Sequence, residues 1–147
     1  MPDPDPVWTP VFRPASRSNS MARILIAEDE EALRALTARA LADSGHDVVT
    51  AIDGADALDI ITREHGRFDL LLTDIRMPLM DGIALALATA RDHPQIIILL
   101  MTAYADQRER ASNLDALIHD VILKPFTLAE IKAAVAGALD AKAQRPG

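Results

Sequence analysis

Three consecutive carboxylates (Glu28, Asp29, Glu30), an aspartate closing an apolar run (Asp74), a hydroxyl (Thr102) and an ammonium (Lys124) are the residues whose types suit chemistry. Carboxylates crowded together repel one another unless a cation sits among them. Oxygen donors without histidine or cysteine suit Mg2+, which keeps several waters and leaves one position for a substrate oxygen. With a metal screening its charge, Asp74 is a candidate nucleophile toward a phosphoryl group. Thr102 could bond a phosphoryl oxygen, and Lys124 could pair first with Asp74 and then with the incoming group. Each residue alone has an ordinary explanation: helix N-terminal acids favoured by the macrodipole, a turn-capping aspartate, a helix-start threonine, a surface lysine. Glu30 and Glu31 are assigned that N-terminal role. The convergence of the set carries the weight.

Elements that alternate in type must position these groups. Ile24–Ala27, Val48–Ala51, Leu70–Thr73, Ile96–Met101 and Val121–Leu123 are strand-length and rich in Ile, Leu and Val. Several are apolar throughout, as expected of strands covered on both faces. Between them, Leu33, Leu36, Ala40 and Leu41 mark the inner stripe of a first helix ending near Gly45. A second helix starts at Asp53-Gly54 and buries Ala57, Leu58 and Ile61. A third spans Ile83–Arg91, before Pro94. A fourth, polar and arginine-rich, spans Asp106–Leu117 with Arg108 and Arg110 on a solvated face. The last opens with a capping box, Thr127 to Glu130, and buries Ile131, Ala134, Val135, Ala138 and Leu139. The expected fold class is α/β, a doubly wound (βα)5 flavodoxin-like arrangement of five parallel strands with helices on both faces. In such a sheet, sites form at the carboxyl ends of the strands. Glu28-Asp29, Asp74, Thr102 and Lys124-Pro125 fall at those ends.

The chain of 147 residues has room for one domain, expected over 21–141. Residues 1–20, with five prolines, are expected to be a disordered leader, an idle tail although Trp8, Val11 and Phe12 could dock on a partner or on the domain, and Met21 would serve as a start. Residues 142–147 are expected to be a short tail. The absence of cysteine removes disulfides and thiolate chemistry and suits a reducing cytoplasm. A net charge of -7 disfavours nucleic acid as a partner. No apolar run reaches membrane-span length, so no membrane partner is expected. His46, His65, His93 and His119 lack metal-ligand spacing and are given surface or turn roles. Met77, Met80 and Met101 are read as packing residues.

The ordered set Glu28-Asp29, Asp74, Met77-Pro78, Asp81-Gly82, Thr102 and Lys124-Pro125-Phe126 resembles a two-component response regulator receiver domain of the CheY-like kind, over roughly residues 22–140. The resemblance implies that Asp74 takes a phosphoryl group from the phosphohistidine of a histidine kinase or histidine phosphotransfer protein. It implies Mg2+ held by Asp29, Asp74 and the Arg76 carbonyl, with Glu28 acting through water. Thr102, Ala103 and Lys124 would bind phosphoryl oxygens, and the Lys124–Pro125 peptide would be cis. Two features depart from the usual pattern. Val121 stands where receivers carry an aromatic three residues before the lysine, which puts the aromatic switch in doubt and leaves Tyr104 as a substitute. Arg76 could screen the acyl phosphate from water and slow its hydrolysis.

The segments Met21–Glu30 and Asp69–Pro78 are similar to CpdR-type regulators, single receivers that steer substrates to an AAA+ protease. With eight residues after Leu139, a stand-alone receiver is expected, a monomer or weak dimer that signals by protein contact. A phosphorelay intermediate is the alternative. A haloacid-dehalogenase-type phosphatase would need a second aspartate where Arg76 stands. A nucleotide-binding module would need glycines after the first strand rather than acids, and a degenerate receiver would lack the intact acid–Thr–Lys set.

Overall fold

Short runs of branched apolar residues, separated by amphipathic stretches, become five strands and five helices in the computed structural model, which describes residues 22–144. The strands are β1 (Arg23–Ala27), β2 (Asp47–Ala51), β3 (Leu70–Asp74), β4 (Ile97–Thr102) and β5 (Asp120–Leu123). They alternate with α1 (Glu31–Asp43), α2 (Gly54–Arg63), α3 (Gly82–Asp92), α4 (Ala105–Ser112) and α5 (Leu128–Ala143). The strands form one parallel sheet in the order β2-β1-β3-β4-β5, the expected doubly wound class. The proline-rich leader expected over 1–20, Met21 and residues 145–147 of the expected tail lie outside the described residues. Helix α5 runs two residues past the domain end expected at 141.

Alternation along the strands feeds both faces of the sheet. Ile24, Ile26, Leu70, Leu72, Leu99 and Met101 pack against Leu41 of α1 and Ile131, Val135 and Leu139 of α5. Leu25, Ala27 and Leu71 point the other way, onto Ala57 and Ile61 of α2 and Leu85 of α3. Ile98 and Leu100 continue that face toward Ala86, Ala111 and Ile118. Each buried Leu or Ile contributes about 1.5–3 kcal/mol, so the apolar runs alone commit the sheet to being covered on both sides.

Two helices differ from their sequence reading. On α1 the buried positions are Thr37, Ala40 and Leu41, while Leu36 is 55% exposed. The inner face is therefore centred on Thr37, a small residue where helix meets sheet, and Leu36 lies to one side of it. Helix α4 stops at Ser112, capped by Asn113, and the chain continues as turns in which Ile118 N–H donates to the Leu114 carbonyl. Ser112 and Asn113 compete with the helix for backbone bonds, and among the described side chains of α4 only Ala111 is buried to hold it longer.

At the opposite end from the strand tips, Arg23 ties four segments together. Its N–H donates to Asp69 at 2.8 Å, its guanidinium reaches Asp47, Glu64 and the Arg67 carbonyl at 3.0–3.2 Å, and its Cζ lies 4.5 Å from the centroid of the Phe68 ring. Nearby, His46 Nδ1 accepts the Ala22 N–H at 3.3 Å, and burial holds its pKa below the ordinary histidine value. His46 thus anchors the start of β1, a structural task beyond the surface or turn role read from the sequence. No helix among the described residues is long and apolar enough to cross a membrane.

Candidate functional site

The reversal of strand order between β1 and β3 opens a crevice at their carboxyl ends, and backbone bonds hold each site residue there. Glu28 N–H continues the ladder to the Ala51 carbonyl at 3.2 Å, Ile75 N–H bonds the Met101 carbonyl at 2.9 Å, and Lys124 N–H bonds the Thr102 carbonyl at 2.8 Å. The Arg34 guanidinium reaches back from α1 to the Glu28 carbonyl at 2.9 Å. Glu28, Asp74 and Lys124 are thereby brought to one rim, as the strand-end reading expected.

Glycine makes the rim compact. A Cβ on Gly82 would lie 2.0 Å from the Asp74 carbonyl oxygen, so only glycine lets the start of α3 come this close to the back of the acid. Gly82 N–H donates to the Ile75 carbonyl at 2.7 Å, and the neighbouring Asp81 caps α3 by accepting the Ala84 N–H at 2.8 Å. Gly82→Ala should therefore lower stability by about 1–3 kcal/mol, seen as an earlier urea midpoint. An unchanged midpoint would mean the loop gives way freely. In the same loop Leu79 is 86% exposed with φ of 69°, a left-handed conformation that costs a leucine about 1–2 kcal/mol.

Lys124 organises the charges. Its Nζ donates to Glu28 Oε1 and to Asp74 Oδ2, each at 2.9 Å. Glu28 is 1% exposed and Asp74 is 7% exposed, whereas Asp29 faces solvent. Burial alone would raise the Glu28 pKa, but the Lys124 hydrogen bond and the Glu30 N–H outweigh it, holding the carboxyl below its usual range. Asp74 goes the other way. Burial raises it, the Lys124 hydrogen bond only partly offsets that, the nearby Glu28 charge adds to the rise, and the result is about 7. Burial would lower the Lys124 pKa, yet its bonds to the two carboxylates keep it above the ordinary lysine value. Of the two buried acids sharing one ammonium, Glu28 ionises first.

Carboxylate oxygens of Glu28, Asp29 and Asp74 lie within 4.8 Å of one another. A cluster of hard oxygen donors, two buried and one exposed, with excess negative charge after Lys124 is counted, fits Mg2+. Glu30 occupies the N-cap of α1 without a side-chain cap bond, and Glu31 supplies the first-turn acid, close to their expected roles.

A cavity of about 870 Å³ opens in front of Asp74. Ala103, Thr102, Arg76 and Tyr104 all line it. The Thr102 hydroxyl is engaged locally: it accepts the Tyr104 N–H at 3.1 Å and points back toward the Tyr104 carbonyl at 3.5 Å. The Lys124–Pro125 peptide is cis. Val121 packs into the α3–α4 side of the core beside Ile98 and Leu100 rather than into the cavity.

Two contacts on the rim escaped the sequence. The Arg76 guanidinium lies 4.6 Å from the centroid of the Tyr104 ring, joining two residues considered separately. Arg110, expected on a solvated face, reaches Asp81 at 3.8 Å and bonds Gln107 at 2.7 Å. The arginine-rich face of α4 was the only signal for the second, and nothing in the spacing announced the first.

A profile of the response regulator receiver domain family matches residues 24–136. The chain is 34% identical over 113 residues to the transcriptional regulatory protein PrrA of Mycobacterium tuberculosis, covering 77% of this chain and 48% of that protein. It is 37% identical over 111 residues to the response regulator MprA of Mycobacterium avium, covering 76% and 48%. The chain thus spans about half the length of these curated relatives. Among solved structures, a CheY-like receiver domain protein from Methanospirillum hungatei superimposes with a TM-score of 0.77 at 27% identity, covering 84% of this chain and 98% of that one. The response regulator TrrA from Thermotoga maritima, in complex with Mg2+ and BeF, gives 0.71 at 30% identity, covering 80% and 99%.

Proposed function

The chain belongs to the response regulator receiver domain family, and on that footing we propose that Asp74 is its phosphoacceptor and that the phosphorylated form signals by protein contact. The observation that carries this reading is Lys124 bridging Glu28 and Asp74 at 2.9 Å each, above a cavity able to admit a phosphohistidine. An Asp74 carboxylate oxygen bonds to phosphorus as the phosphorus–nitrogen bond of the donor breaks, and the imidazole leaves with the electron pair. Asp29, Asp74 and the Arg76 carbonyl would hold Mg2+, with Glu28 reaching it through water, and the ion would supply charge neutralisation for the carboxylate and phosphoryl oxygens. Lys124 turns from the acid to a phosphoryl oxygen, while Thr102 and the Ala103 N–H take others. For Thr102 this means surrendering its bond to Tyr104. Arg76 shields the acyl phosphate from water; a phosphoryl half-life of seconds would overturn that role.

The partners are a histidine kinase or histidine phosphotransfer protein and a downstream protein, with the cytoplasm as the site of action. The finer reading is a receiver working by itself as a monomer or weak dimer, supported by the CpdR-like segments Met21–Glu30 and Asp69–Pro78. Its downstream protein would then be an AAA+ protease or that protease's substrate. The experiment compares wild type with Asp74→Ala, each with and without Mg2+ and acetyl phosphate. Intact mass should gain one phosphoryl group in wild type alone, and pull-downs should retain a protease or substrate in one phosphorylation state. Exchange of the phosphoryl group with a second histidine protein would instead mark a relay intermediate. A well-folded wild-type protein that stays unmodified would end the phosphoacceptor reading.

A further inference from the structure

We propose that Tyr104 holds Arg76 in reserve as an additional phosphoryl-binding cation, and that charge gained at Asp74 draws Arg76 off the ring and frees the start of α4. The inference rests on Asp74 being the phosphoacceptor. Arg76 follows Asp74 by two residues and lines the same cavity, with its guanidinium 4.6 Å from the centroid of the Tyr104 ring. Tyr104 is 47% exposed, so the ring is not fixed by burial in the core. It is also the N-cap residue of α4.

Three ties therefore hold the α4 entrance across the rim: the Arg76–Tyr104 stack, the Tyr104 N–H to Thr102 Oγ1 bond at 3.1 Å, and the Arg110–Asp81 contact at 3.8 Å. The first two use groups that a phosphoryl oxygen would recruit. A guanidinium beside a ring in a partly wet site is held weakly, whereas a charge-assisted bond to a phosphoryl oxygen is substantially stronger. The ring loses that competition once the new charge arrives, and the Thr102 bond breaks in the same event. With Val121 packed into the core, release of Tyr104 takes the place of an aromatic side chain swinging in from β5.

Calorimetric titration of Mg2+-loaded protein with beryllofluoride tests the competition. Tyr104→Leu should bind it about two- to five-fold more tightly, because Arg76 no longer has to leave a ring. Arg76→Gln should bind it more weakly. Opposite signs distinguish a store from a merely structural contact, which would weaken both. The chain has one tyrosine, so 3-fluorotyrosine labelling gives a single site-specific 19F signal. That signal should move to a new, resolved position with beryllofluoride in wild type and should already sit there in Arg76→Gln. If acetyl phosphate modifies Asp74 by intact mass while the signal stays put, or if both variants bind more weakly, the store is overturned alone. If Asp74 takes no phosphoryl group, the phosphoacceptor reading falls and takes the store with it.

Discussion

Asp74→Asn should make the metal-free protein more stable at neutral and alkaline pH, although it removes the proposed phosphoacceptor. The Asp74 carboxyl is raised to about 7 from an ordinary value of 3.8, first by burial and then by the Glu28 charge, despite the Lys124 hydrogen bond. In the unfolded chain the same group ionises near its ordinary value. Between about pH 4 and 7 the native state keeps a proton that the unfolded state has released, so stability falls as pH rises through that window and levels off above it. A tenfold difference in proton affinity between the two states corresponds to about 1.4 kcal/mol, so the ionised acid costs the fold on the order of 2–4 kcal/mol above pH 7. Asparagine keeps the shape and drops the charge. Urea unfolding without metal should show the variant level with wild type near pH 4 and ahead of it by a few kcal/mol at pH 8. A variant less stable than wild type at pH 8 would contradict this account of the site.

Lys124→Met should have the opposite and equally large consequence. It leaves Glu28, 1% exposed, and Asp74, 7% exposed, facing one another without a cation. Removing one partner from a buried ion pair costs about 3–5 kcal/mol, because the stranded charge is worse than the pair was good. The penalty is larger at pH 8 than at pH 5: near pH 5 Asp74 is protonated and only the Glu28 charge is left stranded. Mg2+ should recover part of the loss at pH 8, because an ion that binds only the folded state stabilises it in proportion to the logarithm of its excess over Kd. Unfolding curves at the two pH values, with and without Mg2+, check all three statements. A loss below about 1 kcal/mol at pH 8, or one equal at both pH values, would refute the picture of Lys124 as the shared cation.

The rim residues were legible because a parallel sheet leaves little freedom in where strand ends go. Once five apolar runs are read as strands in a doubly wound order, the residues at the carboxyl ends of β1, β3, β4 and β5 must share an edge, and Glu28, Asp74, Thr102 and Lys124 follow from register alone. The capping box on α5 was equally plain, since Thr127 and Glu130 exchange bonds within one turn. Lys124 reaching Asp74 was legible for the same reason, but contacts between side chains on loops and helices, which register does not fix, were not. Arg76 on Tyr104 and Arg110 on Asp81 depend on loop paths and on long side chains that reach several positions with little difference in energy. Leu36 was misplaced for a related reason: a helical stripe read from hydrophobicity alone overlooks Thr37, whose small side chain takes the central buried position. The α4 endpoint was missed because its polar sequence carries almost no periodic signal.

The contacts around Arg23 have a mechanical meaning. That end of the sheet is fastened by Arg23, whose backbone N–H and side chain touch several segments at once, at the far end of β3 from Asp74. The opposite end is held by ties whose charged or polar partners an incoming anion can claim. If the proposed release of Tyr104 occurs, a scaffold clamped at one end and detachable at the other would behave as a cantilever: load applied at the free tip would bend the tip and leave the root still. On that reading, a partner that senses the state of this molecule would have one end of it worth reading.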